Sequence, residues 1–332
     1  MRHSFLKKLM VGSGTLGLCR TLNSTPRVLF YHGVDEVFDI SVQTLHLQPD
    51  VFETEMQYLK NHYEVISMDE YYERFISSRF SGREIVITFD DGYRNNLTVA
   101  APILSSLSLP FTVFVSVDHC EKGRLFPTFI NRVILHRAKL THIKVECLDI
   151  DCDLASDIDR LAIMERINIA LKHSDIDTVN MICSQLESNL SSDCLDELYS
   201  RYSSDVPMNW NELIELKQNY DCIIGSHCLD HFICNSSQTK EETHRQIFDS
   251  KRILQQKLGC ECTYLAFPNG NLKQGDISEF AHTVVREAGY KLAFTTINKR
   301  LRKNADPFLL PRCAARFEPL DFKVELAIKP LR

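Results

Sequence analysis

The apolar residues of this chain recur in short runs that are separated by long intervals, and each run ends in a polar cluster. The runs are rich in β-branched and aromatic residues and are apolar on both faces, which is typical of buried parallel strands. They cover residues 27–31, 84–89, 111–117, 221–225, 263–267 and 292–296. Apolar residues at helical spacing between the runs predict helices, among them residues 50–61, 241–258 and 277–288. Strands that alternate with helices predict an α/β fold with a parallel sheet or barrel.

This alternation stops between residues 120 and 206. Helical patterns dominate there, over residues 157–172 and 192–202, and residues 143–148 form the one clear β-run. We interpret residues 120–206 as a mainly helical insertion between two barrel units, or as a small helical subdomain. The barrel itself is then expected to comprise residues 27–119 and 207–332.

Three acidic residues in this insertion imitate the start of a calcium-binding loop. Asp149, Asp151 and Asp153 have the right spacing, but Leu154 stands where such a loop needs glycine and Arg160 where it needs glutamate. We therefore interpret them as a solvated acidic turn.

Length and composition narrow the class of protein. The chain has 332 residues, of which 44% are hydrophobic and 25% charged, as in ordinary globular proteins. Its net charge of −6 provides no basic field for a polyanion, so we expect no nucleic-acid partner. The 12 cysteines include no C-x-x-C pair, and we expect them to be reduced and largely packed in the interior.

The first 26 residues form a basic N-terminal segment. Arg2, Lys7 and Lys8 precede an uncharged run over residues 9–19, which is too short to span a bilayer. Its three glycines and the lack of a cleavage pattern favour a retained segment that contacts an anionic membrane surface. A signal peptide is the alternative. We expect a cytoplasmic, membrane-associated protein, with secretion or a periplasmic location as the alternative that the many cysteines disfavour.

Two adjacent carboxylates follow the second apolar run. Asp90 and Asp91 stand at the carboxyl end of a predicted buried strand, where parallel α/β folds place their sites. Two carboxylates so close together do not both ionise freely unless a cation neutralises one of them. The pair therefore indicates a metal, although Asp-Gly is also common turn chemistry.

Two histidines follow the fourth run. His227 and His231 are four residues apart and can reach one cation, or they can be one surface and one buried histidine without a ligand. Cys228 lies between them and is expected to pack in the interior. One aspartate and two histidines would leave an open coordination position, which is the pattern of catalytic zinc.

A turn follows the fifth run. The sequence Pro-Asn-Gly at residues 268–270 directs backbone N–H groups towards the carboxyl edge of the sheet, where they can bind an oxyanion. A simple loop is the alternative. Since all three motifs follow predicted strands, we expect them to converge on one rim, with one carboxylate free to act as a base.

Taken together, TFDDG at residues 88–92, H-x-x-x-H at 227–231 and the P-x-G loop at 268–270 resemble the polysaccharide deacetylases of the NodB-homology type, carbohydrate esterase family 4. The opening LFYHGV at 29–34 and the stretch from NWNELIEL to IIGSHCLDH at 209–231 are also similar to bacterial members of that family. The resemblance extends over roughly residues 27–313.

The resemblance implies a deformed (β/α) barrel of about seven strands and metal-dependent hydrolysis of an acetyl group on a sugar. By this resemblance Asp90 is the catalytic base, and Asp91, His227 and His231 bind a divalent metal, with Zn²⁺ expected. The backbone N–H of Asn269 is the oxyanion donor, at a position where the family usually has an aromatic residue. The implied partner is an acetylated polysaccharide or glycoconjugate.

The chain departs from the family pattern at several positions. Cys228 and Phe232 stand where the family usually has Ser or Thr and Pro, and Ala266 where many members have arginine. Many members also have a late Leu-x-His whose histidine is the general acid. No histidine follows His282 here, and the region instead contains a Leu-Pro-Arg sequence that ends at Arg312.

These departures leave the general acid open. We expect Arg312 to pair with Asp90 or to polarise the acyl group. His32 ends the first strand and is a stand-in for the acid, or else a structural histidine. Two other functions also stay open at this point: a catalytically degenerate glycan-binding barrel, and a metal-dependent amidase for a non-sugar amide.

Overall fold

The structure is a computed structural model that describes residues 15–22, 25–36, 39–314 and 319–327. Its strands are β1 (Arg27–Tyr31), β2 (Gly33–Val34), β3 (His46–Leu47), β4 (Glu64–Val65), β5 (Glu84–Phe89), β6 (Phe111–Val115), β7 (His142–Val145), β8 (Ile150–Asp153), β9 (Cys222–Ser226), β10 (Tyr264–Ala266), β11 (Leu292–Phe294) and β12 (Cys313–Ala314).

Helices fill most of the intervals between these strands. They are α1 (Thr15–Leu22), α2 (Pro49–His62), α3 (Met68–Ser77), α4 (Ala101–Ser106), α5 (Val117–Lys122), α6 (Pro127–Arg137), α7 (Asp157–His173), α8 (Ile176–Glu187), α9 (Ser192–Arg201), α10 (Trp210–Asn219), α11 (Lys240–Leu258), α12 (Glu279–Glu287) and α13 (Pro319–Ala327).

The main sheet runs in the order β11-β10-β9-β6-β5-β1-β12, with β4 paired to β5 beside this path. Every pairing within it is parallel. All residues of β1, β5 and β6 are buried, as their continuous apolar runs predict. The α/β fold with a deformed barrel of about seven strands is thereby confirmed.

A short segment near the end of the chain joins the two edges of this sheet. Leu310 forms a parallel bridge with Phe294 of β11, and Cys313 pairs with Leu29 of β1. The segment between them is therefore held against the last strand and the first strand at once. Arg312 lies in it and is fully buried.

Helices cover the outside of the sheet through amphipathic faces. Phe52, Met56 and Leu59 of α2 stand at helical spacing and are fully buried in the main core. Helix α11 ends at Gly259, which has a φ of 62° and closes the helix in the left-handed conformation. The carboxyl ends of the parallel strands are left to the loops that form the site.

The stretch predicted as an insertion contains α6 to α9 and the antiparallel hairpin β7–β8. Most of its buried residues, among them Phe129, Ile143 and Leu186, form a second hydrophobic cluster that also includes Val42 and Tyr93 of the barrel. The β-run predicted over residues 143–148 is shorter than expected, because the strand ends at Val145 and a 3₁₀ turn follows. The insertion packs beside the carboxyl edge of the barrel, where it contributes a wall of the site.

Helix α1 contacts α13 through Leu16, Val324 and Ala327. Arg2, Lys7 and Lys8 lie outside the described residues, so the membrane contact predicted for residues 1–26 stays a prediction. Within the described part of the chain, no helix combines the length and the apolar character needed to cross a membrane. All twelve cysteines are free thiols.

Candidate metal centre

The two adjacent aspartates occupy a tight turn directly after β5. The backbone N–H of Asp90 donates to the carbonyl of Tyr31, 2.9 Å away, which continues the pairing of β5 with β1. Asp91 has a φ of 72°, an unusual conformation for a residue with a side chain. Gly92 follows with a φ of 70°, and a Cβ atom at this position would lie 2.6 Å from Cγ1 of Val115. The turn therefore depends on glycine and separates the two carboxylates.

Three potential ligands meet at this turn. Oδ1 of Asp91 lies 3.6 Å from Nε2 of His227 and 3.4 Å from Nε2 of His231. The same oxygen is buried and accepts no hydrogen bond within the described residues. A buried carboxylate oxygen without a donor is costly unless a cation neutralises it. One carboxylate and two imidazoles are also a donor set of catalytic zinc sites, so the three residues fit a divalent metal.

His227 is oriented by the backbone around it. Its Nδ1 lies 2.7 Å from the carbonyl oxygen of Ala266 at the end of β10. Its own N–H donates to the carbonyl of Val115, 2.8 Å away, and its carbonyl accepts the hydroxyl of Ser116. The Ala266 contact places the proton on Nδ1 and leaves the lone pair of Nε2 towards Asp91.

Both histidines are suited to bind a metal without first losing a proton. Burial lowers the pKa of His227 to about 4, and burial also lowers the pKa of His231 to about 4. The His231 ring packs edge-on against the rings of His227 and Phe126, with 5.1 Å between centroids in each case. Neutral, packed imidazoles are thus presented to Asp91 near neutral pH.

The second aspartate is held by an arginine. Nη1 of Arg312 donates to Oδ1 of Asp90 at 2.6 Å, and Nη2 donates to Oδ2 at 2.8 Å. Nε of Arg312 donates to the carbonyl of Thr295, and the guanidinium lies 4.6 Å from the ring centroid of Phe30. Burial alone would raise the pKa of Asp90, but the charge of Arg312 outweighs it and lowers the pKa to about 2. Asp90 is therefore a carboxylate at any physiological pH.

The Pro-Asn-Gly loop lies on the same rim. Asn269 has a φ of 58°. Thr296 fixes the loop with two hydrogen bonds: its hydroxyl donates to the carbonyl of Asn269, and its backbone N–H donates to the carbonyl of Gly270. Within the part of the chain that the structure describes, the N–H of Asn269 donates to no acceptor. It is a backbone donor available at the edge of the site.

The three loops border a cleft of about 350 Å³. Asp90, both histidines, Asn269 and His32 line it, so the structure brings these predicted residues together. His32 is partly buried, and its charge when protonated would further lower the pKa of Asp90. Arg312 is not among the lining residues, because its guanidinium lies beneath Asp90 inside the barrel.

Sequence reasoning did not identify the residues of the insertion that line the cleft. Phe126, Thr128, Arg132 and Lys172 line the same cleft from the side of α6 and α7. Nε of Arg132 donates to the carbonyl of Val42, 2.7 Å away. The available signal was Arg132 itself, a charged residue between apolar residues of α6, and it does not indicate which face of the helix meets the cleft. No motif marks Phe126, Thr128 or Lys172.

A comparison with known protein families finds a similarity over the part of the chain that carries both histidines. A family model described as polysaccharide deacetylase matches residues 184–293, a segment that contains His227, His231 and Asn269. No curated protein resembles the chain closely enough in sequence to count as a match.

Several solved structures share the fold. The deacetylase PplD of Streptococcus pyogenes, solved in complex with acetate, superposes with a TM-score of 0.59 at 16% identity, covering 91% of this chain and 98% of that one. IcaB from Ammonifex degensii superposes with a TM-score of 0.58 at 15% sequence identity, and the match covers 92% of this chain and 97% of IcaB. BC0361, a polysaccharide deacetylase from Bacillus cereus, superposes with a TM-score of 0.54 at 16% sequence identity, and the match covers 91% of this chain and 69% of BC0361.

The parallel barrel and the Asp-His-His group at the carboxyl ends of its strands define an α/β barrel protein with a candidate centre for one divalent metal. Over residues 184–293, which include both histidines, the chain is similar to the polysaccharide deacetylase family.

Proposed function

We propose that this protein is a metal-dependent hydrolase that removes acetyl groups from N-acetylated sugars of a polysaccharide or glycoconjugate. The observation that carries this proposal is the position of Asp90, an ionised carboxylate next to the three ligands in one cleft. An ionised carboxylate held in a fixed position beside a metal site is the arrangement that a general base requires. The family and its glycan substrates support the choice of an acetylated sugar.

In this proposal Asp91, His227 and His231 hold the metal, with Zn²⁺ expected from the mixed carboxylate and imidazole ligands. A divalent metal supplies Lewis acidity, which polarises the acyl oxygen and lowers the pKa of water. The remaining steps belong to residues of the chain.

Asp90 accepts the proton of the attacking water. With a pKa of about 2 it is a weak base, so its effect comes from its fixed position and constant ionisation. All three nitrogens of the Arg312 guanidinium are bound, two to Asp90 and one to the carbonyl of Thr295. We therefore assign Arg312 to positioning Asp90, the first of the two roles expected for it, and not to polarising the acyl group.

Two further groups complete the reaction. The N–H of Asn269 donates to the acyl oxygen as negative charge develops on it. His32 borders the cleft at the end of β1 and is our proposed proton donor to the leaving nitrogen, a step without which the C–N bond breaks slowly. The products are acetate and a free amino sugar.

The experiment is acetate release from N-acetylhexosamine oligomers by protein that has been loaded with Zn²⁺. We expect release by the wild type, with the rate reduced at least 100-fold in Asp90→Asn and in His227→Ala. His244→Ala is the matched control, since His244 is exposed and stacks on Phe248 away from the cleft. Metal analysis should show that Asp90→Asn keeps the ion and His227→Ala loses it.

Other outcomes identify the rival functions. Binding of the oligomers without acetate release would indicate a glycan-binding barrel. Acetate release from simple N-acetyl amides but not from sugars would indicate an amidase of a different specificity. Unchanged release by Asp90→Asn would show the mechanism to be wrong.

A further inference from the structure

Two buried cysteines touch each other in the loop that carries His231. Sγ of Cys228 and Sγ of Cys234 are 3.8 Å apart, and both side chains are fully buried. Among the twelve cysteines, all of which are described, no other pair forms a sulfur–sulfur hydrogen-bonding contact. We propose that Cys228 and Cys234 are a modification site, a dithiol that converts to a disulfide across the metal-binding loop.

The backbone on both sides of the pair is already fixed. The N–H of Cys228 donates to the hydroxyl of Ser226 at 3.2 Å, and its carbonyl accepts the N–H of Val117 at 3.2 Å. The carbonyl of Cys234 accepts the N–H of Ser278 at 2.8 Å, just before α12. Each cysteine is thus anchored to a different part of the barrel, and the contact between the sulfurs is imposed by the fold rather than by neighbouring positions in sequence.

The conversion needs an oxidant of the disulfide class, such as glutathione disulfide. The sulfur of one cysteine attacks the disulfide of the oxidant, which forms a mixed disulfide and releases one small thiol. The second cysteine then displaces the other half of the oxidant. Both cysteines lose a proton, two electrons pass to the oxidant, and two small thiols leave. Since neither sulfur is exposed, this exchange requires the loop to open or occurs before the loop has packed.

The bond would act on the metal site through His231. His231 lies between the two cysteines, so the disulfide closes a small ring that contains this ligand. His231 also has a φ of 52°, which shows that the loop is held in a particular conformation there. A closed ring has fewer conformations in which His231 leaves the metal. We therefore expect the oxidised protein to release a bound divalent ion several-fold more slowly than the reduced protein.

The first test reads the bond directly and does not depend on hydrolase activity. The intact protein is equilibrated in glutathione buffers from fully reduced to fully oxidised, quenched in acid, denatured, alkylated and digested with trypsin. Cleavage after Lys217 and Lys240 yields one peptide with Cys222, Cys228 and Cys234. In the oxidised buffers we expect this peptide to carry a single alkyl group, on Cys222, and to lack two hydrogens. Three alkyl groups under every condition would overturn the proposal.

The second test uses Cys228→Ser and Cys234→Ser, with Cys222→Ser as the matched control in the same peptide. Loss of Zn²⁺ to a coloured chelator is timed in the oxidised and reduced forms. We expect slower loss on oxidation in the wild type and in Cys222→Ser, and no difference in the other two variants. Equal rates in the two forms of the wild type, or a disulfide that uses Cys222, would contradict the proposal. If one of the two variants fails to fold, the other still decides the matter.

Discussion

Arg312 and Asp90 form a buried pair through two parallel hydrogen bonds, although 222 residues separate them in the sequence. Neither side chain has more than 3% of its surface exposed. Removing one partner of a buried pair leaves an uncompensated charge, which typically costs about 3–5 kcal/mol. The pair therefore couples the stability of the barrel to the ionisation of the proposed base.

Arg312→Gln should destabilise the protein by about 3–5 kcal/mol, because the carboxylate of Asp90 then lacks its counter-charge. The pKa of Asp90 should rise, since burial is no longer opposed by the guanidinium. Urea unfolding measures the first effect, and the acid limb of the rate of acetate release measures the second. The double variant Asp90→Asn/Arg312→Gln should recover part of the lost stability. An acid limb that does not move would contradict the assigned positioning role.

The metal-free protein should lose stability as the pH falls from about 6.5 to about 4. His227 is held neutral by burial, with its pKa lowered to about 4, whereas in the unfolded chain it takes up a proton near 6.5. In that window the unfolded state binds more protons, at a cost of up to about 1.4 kcal/mol per pH unit. Above the window His227 is neutral in both states and contributes no pH dependence.

Urea unfolding of metal-free protein at pH 7, 5.5 and 4.5 tests this point. His227→Asn should show a shallower fall in the free energy of unfolding than the wild type. His244→Ala, whose imidazole is exposed, should follow the wild type. Equal slopes in the wild type and His227→Asn would show that this histidine is not held neutral.

Glu55 should make the protein less stable as the pH rises from about 4.5 to about 8. It is 1% exposed in helix α2, and burial raises its pKa to about 8, although the Tyr31 hydroxyl donates to its Oε2 at 2.9 Å. Between these values the folded state keeps a proton that the unfolded state has lost, so stability declines. Glu55→Gln removes the titration and keeps the shape.

The melting temperature of Glu55→Gln should therefore exceed that of the wild type at pH 8 and approach it at pH 5. Glu53→Gln is the control, because Glu53 lies on the exposed face of the same helix. A melting temperature of Glu55→Gln that falls below the wild type at pH 8 would contradict the prediction.

The insertion should influence substrate binding more than the chemical step. Lys172 lines the cleft from α7, and among the described residues its side chain forms no ion pair with Asp91. Lys172→Ala should raise the KM for acetylated oligomers several-fold and change kcat little, because the substrate binding it removes is the same in the ground and transition states. Lys144→Ala, in the exposed hairpin of the insertion, should leave both constants unchanged. A fall in kcat alone for Lys172→Ala would place this residue in the chemistry.

The repeated apolar runs predicted six of the eight strands of the main sheet and missed the two-residue strands β4 and β12. All six predicted runs coincide with strands of the barrel, because a strand buried on both faces cannot contain polar residues without partners. The ends were less accurate: residues 116–117 and 295–296 belong to a turn, a helix or a loop rather than to strands. Strand ends depend on which neighbours continue the hydrogen-bonded ladder, and a single run carries no information about its neighbours.

The convergence of Asp91, His227 and His231 was also predictable, since the carboxyl ends of parallel strands share one edge. Pairing with Asp90 was one of two roles expected for Arg312. The sequence could not decide between them, because the outcome depends on how the segment around Leu310 packs between β11 and β1. The residues of the insertion that line the cleft could not be chosen from the sequence, since the orientation of an insertion is set by its tertiary contacts.

The segment that joins β11 to β1 also determines when the site is completed. Until Leu310 has paired with β11 and Cys313 with β1, the barrel is open at one side and Asp90 lacks the charge of Arg312. Contacts so distant in sequence form late, because the entropy of a long loop must be overcome first. On the ribosome, a growing chain can therefore assemble most of the sheet and bring the metal ligands together before Arg312 fixes the position of Asp90. Synthesis past Arg312 is therefore needed both to close the barrel and to complete the site.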